Sequence, residues 1–213
     1  PRRTPTTGGF GFFKSTDGGY TWALSNTGFH ESASIRRIAM DPEDPGTLFA
    51  AASDKEGGLY RSDDKGTVWR RVNVPSIIRS VNSVFIDRNN GFIYISAGGF
   101  YDGAYEEGGA WRSRDNGDSW ELIFKAPVVL QLESSPVNPD LLLLVAGNQM
   151  RIDRQFMNPG IYLSLDAGSH WRKINRNLGN NDKIVDARPD PHDDTVVWAA
   201  AWGSGWYIGK IKP

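Results

Sequence analysis

Apolar residues in this chain come in short runs bounded by Gly, Pro, Asp or Asn, and the order of the runs recurs. Residues 35–40 form one run, the turn Asp41-Pro42-Glu43-Asp44-Pro45-Gly46 follows, and residues 48–52 form a second. A loop then leads to residues 58–61, and residues 69–74 complete the set. Short apolar runs between turn formers read as strands, and a run that is apolar throughout reads as one buried on both faces. The order returns at 81–86, 92–97, 110–113 and 120–124, and again at 128–134, 141–146, 160–164 and 171–175. No segment sustains a 3.6-residue period, so almost no helix is expected. The pattern predicts an all-β chain of four-stranded antiparallel units, with strands a to d running from inside out.

One octapeptide marks the passage from the third to the fourth strand of each unit. The skeleton Ser-x-Asp-x-Gly-x-x-Trp occupies residues 15–22, 62–69, 113–120 and 164–171, with starts 47, 51 and 51 residues apart. A fixed period of this length signals a repeat architecture. The chemistry is that of a tight turn. Asp17, Asp64, Asp115 and Asp166 can accept hydrogen bonds from backbone N–H groups a few residues on. The glycine at the fifth position supplies a positive φ without steric cost. Trp22, Trp69, Trp120 and Trp171 each open the next strand and offer a large ring to pack beneath the turn. These eight residues are therefore read as structural.

The four octapeptides resemble Asp-boxes, also called BNR repeats, and with them the sortilin, xyloglucanase and sialidase type of β-propeller. The resemblance covers the whole chain, because the sequence between the octapeptides repeats too. It implies a β-propeller, or part of one. It also implies that the octapeptides lie on the hairpin between the third and fourth strands, away from the active face. Activity differs among such families, so the resemblance speaks to fold more than to function.

The two ends depart from the pattern. Residues 10–14 and 22–25 supply strands c and d alone, whereas residues 184–188, 196–201 and 206–211 supply a, b and c without an octapeptide. Two organisations fit. The end pieces could share one blade of a small ring, although both then offer a strand c. Alternatively, residues 1–213 form the C-terminal portion of a larger propeller. The blades are placed at about 7–26 (partial), 33–75, 79–125, 127–176 and 183–213 (partial). The overlap favours the second organisation, with further blades or another chain closing the ring.

Composition narrows the function classes. With 24 Lys and Arg against 25 Asp and Glu, the formal charge is -1, which does not point to nucleic acid. The chain has no cysteine, so disulfides, thiolate chemistry and cysteine metal sites are out. No apolar run approaches the ~20 residues of a spanning helix. His30, His170 and His192 are scattered without ligand spacing, and each octapeptide Asp stands as a single carboxylate. No metal and no cofactor are expected. The resemblance suggests an extracellular or periplasmic setting.

Functional residues are expected on the b-to-c and d-to-a loops, which vary, and not on the uniform turns at the opposite end. One b-to-c loop gathers Asp102, Glu106 and Glu107 with Phe100, Tyr101 and Tyr105. Two carboxylates flanking a sugar are what glycoside hydrolysis needs, and the rings would stack on sugar faces. A solvated acidic loop, or one contacting a protein, is the plainer reading and the preferred one. Arg36, Arg79, Arg151 and Arg154 are candidates to converge near the axis, where arginine can hold a carboxylate in two-point fashion. The Arg-Ile-Pro motif of sialidases is missing, since the nearest match is Arg151-Ile152-Asp153. Trp198 and Trp206 fall in strand patterns and are expected to pack between blades, whereas Trp202 sits on a glycine-bounded loop and could stack on a ligand. The preferred function is a non-enzymatic binding or assembly module for a protein or polysaccharide. A glycoside hydrolase acting on a xyloglucan-type β-glucan is the alternative.

Overall fold

The computed structural model describes residues 11–30, 33–53, 57–101, 104–105, 107–147, 158–178, 184–203 and 205–211. Strands β1 (Phe13–Lys14) and β2 (Ala23–Leu24) pair alone. Strands β3 (Ser34–Met40), β4 (Leu48–Ser53), β5 (Gly58–Ser62) and β6 (Arg70–Arg71) form a four-stranded antiparallel sheet in chain order. The next sheet holds β7 (Val81–Ile86), β8 (Ile93–Ala97), β11 (Gly108–Ser113) and β12 (Glu121–Ala126). Between β8 and β11 lies a small hairpin, β9 (Phe100–Tyr101) with β10 (Ala104–Tyr105). A third sheet of four follows, with β13 (Val129–Ser134), β14 (Leu142–Ala146), β15 (Gly160–Ser164) and β16 (Arg172–Lys173). The last sheet has three strands, β17 (Ile184–Pro189), β18 (Val196–Ala201) and β19 (Gly205–Lys210). No helix occurs among the described residues.

The all-β, four-stranded expectation holds, and it holds for a physical reason. Strands β4, β8 and β14 are buried along their whole length, because a sheet covers each face. Four apolar clusters join the sheets in sequence. Phe12 and Phe29 of the first piece pack on Tyr60 and Trp69. Phe49 and Leu59 pack on Val81, Val84 and Ile95. Tyr94 and Ala110 pack on Leu132, Leu142 and Leu144. Leu143, Val145 and Ile161 pack on Ile184, Ala187 and Ala199. Burial of this kind contributes about 25 cal/mol per Å² of apolar surface, and it is the main force holding sheet to sheet.

Two details were not expected. The outermost strands are shorter than the apolar runs suggest: β6 and β16 each make only two ladder pairs. Every innermost strand also carries a β-bulge at the same register, between Ile35 and Arg37, Val81 and Ser83, Val129 and Gln131, and Ile184 and Asp186. A bulge adds one unpaired residue and so changes which of two neighbours faces a given side.

Candidate functional site

The two ends of the sheets are built differently. At one end the octapeptides and the a-to-b turns lie against each other. Lys65 N–H donates to the Gly46 carbonyl, and Ala167 N–H donates to the Asp140 carbonyl, each at 2.9 Å. Within every octapeptide the same network recurs. The serine hydroxyl accepts the glycine N–H at 2.8–2.9 Å and donates to the aspartate at 2.7–2.8 Å. The second carboxylate contact is the seventh residue's N–H, at 2.8–2.9 Å. These donors hold the carboxyls well below the usual range: Asp115 falls to about 2 through the Ser119 hydroxyl and N–H, and Asp166 to about 2 through the His170 N–H and ring. The fourth residue of the octapeptide is left-handed as well as the fifth. It is Gly18, Lys65, Asn116 and Ala167 in turn, so only the first copy has a glycine there.

The octapeptide tryptophans share a position but not an environment. Trp69 is buried between Phe12 and Phe29. Trp120 donates to the Asn73 carbonyl at 3.2 Å and Trp171 to the Ile123 carbonyl at 2.9 Å, each reaching the preceding sheet. Trp22 has no such neighbour and bonds only Gly19 within its own turn.

At the opposite end the b-to-c loops leave the sheets beside the entry to strand a. Gly98 N–H donates to the Ser80 carbonyl and Gly147 N–H to the Val128 carbonyl. Asn82, the bulged residue of β7, donates to the carbonyls of Gly98 and Val129 and ties this end of two sheets together. Trp202 sits here on the β18–β19 turn, next to the left-handed Gly203, and is 61% exposed. Glu107 is exposed at the entry to β11. The backbones of Phe100, Tyr101 and Tyr105 form the β9–β10 hairpin at the same end. Asp102, Glu106, Arg151 and Arg154 lie outside the described residues.

The arginines that meet near the axis differ from those expected. The bulge makes Arg36 the unpaired residue, and its Nε donates to Ser53 Oγ at 2.6 Å. Arg37 instead bonds Glu133, two sheets away on β13. Glu133 also lies 3.4 Å from Arg188 of β17, which itself holds Asp186 at 3.1 Å. Gln131 donates to Asp186 Oδ1 at 2.5 Å and to the Ala187 carbonyl at 2.9 Å. Burial pushes the Glu133 carboxyl up, and Arg37 and Arg188 pull it back only in part. Sequence reasoning missed this cluster, because the choice between Arg36 and Arg37 depends on a one-residue bulge. A signal was available: a polar or charged residue falls two places after the first apolar residue of each innermost run, at Arg37, Ser83, Gln131 and Asp186.

The expectation that Trp198 and Trp206 pack between sheets is not met, for no described sheet follows β17–β18–β19. Trp198 is partly exposed, with its Nε1 bonded to Asp190 at 2.9 Å, and Trp206 is largely exposed. Among the described residues there is no cluster of three or more His, Asp or Glu suited to a metal, and no helix long and apolar enough to cross a membrane.

The chain is similar to known propellers. It is 26% identical, over 96% of its length, to the xyloglucanase Xgh74A of Acetivibrio thermocellus, and 26% identical, over 66%, to a xyloglucanase of a Paenibacillus species. It spans 28% of the length of the first and 16% of the second. The crystal structure of the GH74 xyloglucanase from Xanthomonas campestris matches 93% of the chain with a TM-score of 0.70, at 18% identity and over 33% of that enzyme. The family model described as "Sortilin, neurotensin receptor 3" matches residues 11–128, more than half of the chain. The repeated sheets and this match agree: the chain belongs to the Sortilin-Vps10 family of β-propellers.

Proposed function

We propose that this chain is a binding module that presents its b-to-c loop end to a polysaccharide of the xyloglucan or β-glucan type, in an extracellular or periplasmic setting. The observation that carries the reading is Trp202. A large ring held out on a glycine-bounded turn, at the end where the loops vary, is the surface a pyranose face stacks on. The similarity to xyloglucanases over nearly the whole chain supports the ligand class. A protein partner is the variant of this reading in which the same end serves assembly. The chain spans 28% of the enzyme it matches, and in our reading it is an arc of a larger ring that further blades or another chain complete.

A second reading, glycoside hydrolysis, is favoured by the same similarity and by the acidic loop of Asp102, Glu106 and Glu107. It requires two carboxyl groups about 5 Å apart, or about 6.5–9.5 Å apart with an intervening water. Titration calorimetry with xyloglucan oligosaccharides separates the possibilities. Binding by the native chain that falls at least about tenfold in Trp202→Ala, with no reducing sugar released, is expected. Sugar release that disappears in the Asp102→Asn, Glu106→Gln, Glu107→Gln variant would replace the binding reading with the enzymatic one. No binding to any glucan would leave the protein-partner variant to a pull-down.

A further inference from the structure

The register of the sheets makes their residues comparable one by one. Gly58, Gly160 and Gly205 pair with Ala52, Ala146 and Ala201 at the start of the third strand. The next residues are Leu59, Ile161 and Trp206. Leu59 and Ile161 point at the following sheet and are 0% and 2% exposed, whereas Trp206 is 77% exposed. Two places on, Leu163 is buried and its counterpart Ile208 is exposed. The last sheet therefore displays the face that three earlier sheets bury against a successor.

The other end of the arc displays the reverse face. Phe12 corresponds to Ile161, since Asn26 and Asn175 accept the N–H of each in the same way. Phe13 then corresponds to Tyr60 and Tyr162, and Trp22 to Trp69. Tyr60 and Trp69 are each 2% exposed, because they are covered by the preceding piece. Phe13 and Trp22 are 46% and 63% exposed, and Leu24, paired with Phe13, is exposed beside them.

We infer that these two faces are the halves of one interface and that a second copy of this chain covers them head to tail, with Trp206 and Ile208 of one copy against Phe13, Trp22 and Leu24 of the next. The argument is continuity with an interface the chain already builds four times, always between a following face and a preceding face. One half of each kind is left over, so the chain carries its own complement. The template for the contact is also present. Phe12 and Trp69 meet edge to face at 5.2 Å, and Trp206 and Trp22 hold the corresponding two positions. Paired aromatics of this geometry favour such contacts beyond their buried area. A contact between two different patches is heterologous, so it propagates until a ring closes or a filament forms.

This inference stands apart from the polysaccharide reading, because it uses the sheet faces and not the loop end. Sedimentation velocity of the native chain over a wide concentration range tests it. The expected result is a species of at least twice the monomer mass that grows with concentration. Trp206→Glu with Ile208→Glu, and separately Phe13→Glu with Trp22→Glu, should each sediment as monomers, with circular dichroism unchanged because the altered side chains are exposed. An equimolar mixture of the two variants should recover a dimer, since each keeps one intact face. A native chain that stays monomeric overturns the inference. So does self-association that survives in either variant alone, or a mixture that fails to dimerise.

Discussion

The first and second octapeptides differ in almost nothing local and in almost everything tertiary. In both, the serine accepts the glycine N–H and donates to the aspartate, which in turn accepts the N–H of the seventh residue. Yet Trp69 is enclosed by Phe12 and Phe29, while Trp22 stands in solvent. Eight residues suffice to make the turn. Whether the turn stabilises the fold depends on the sheet that precedes it.

The largest expected effect breaks this comparison at its tryptophan. Trp69→Ala should cost about 3–5 kcal/mol in urea unfolding, the range for removing a large buried aromatic. Trp22→Ala should stay within about 0.5 kcal/mol, as exposed substitutions do. Equal losses would mean that the ring acts within its own turn and not between sheets.

The fourth position sharpens the comparison by sign. Gly18 and Ala167 hold the same left-handed conformation, with φ of 75° and 53°. A side chain there costs about 1 kcal/mol or somewhat more. Ala167→Gly should therefore raise the unfolding midpoint slightly, offset in part by the freedom glycine adds to the unfolded chain. Gly18→Ala should lower it. Midpoints moving the same way would show that neighbouring contacts, not φ, govern the position.

The smallest effect is on acid stability. The carboxyls of Asp115 and Asp166 are held at about 2, below the ordinary 3.8, so the unfolded chain binds protons first on acidification. Their contribution is complete above about pH 4 and is lost as the pH falls toward 2. Glu133 works in the opposite sense. Its raised value means stability declines as the pH climbs from the ordinary glutamate range through the folded value. Thermal melts from pH 2 to pH 7 should therefore show a steeper acid limb in the native chain than in Asp115→Asn, and a flatter upper limb in Glu133→Gln. Parallel curves would count against both assignments.

The strands, their order and the turns between them were legible because each is written in local chemistry. Leu48–Ser53 is apolar throughout because a sheet covers both faces, and Asp41 to Gly46 reverses the chain with its own side chains. The candidate site was legible only as a location. Trp202 does lie exposed on the loop end, and Glu107 is exposed at the same end. The polar cluster of Arg37, Glu133, Asp186 and Arg188 was not foreseen, since a single bulged residue decides which of two adjacent arginines reaches it. The exposure of Trp206 was not foreseen either. A strand pattern specifies two faces, and it cannot specify that only one of them will find a neighbour.

The bulge at the start of each innermost strand has a wider meaning. It works as a reading frame. Four strands place it at the same point, so the residue that follows it always addresses the same side. Deleting that one residue from a single strand would leave most of the hydrogen-bond ladder intact and exchange its two faces. The sheet would then offer charge to its apolar neighbour and oil to the axis. Insertions and deletions should therefore be tolerated in the loops in any number, and in these four strands hardly at all.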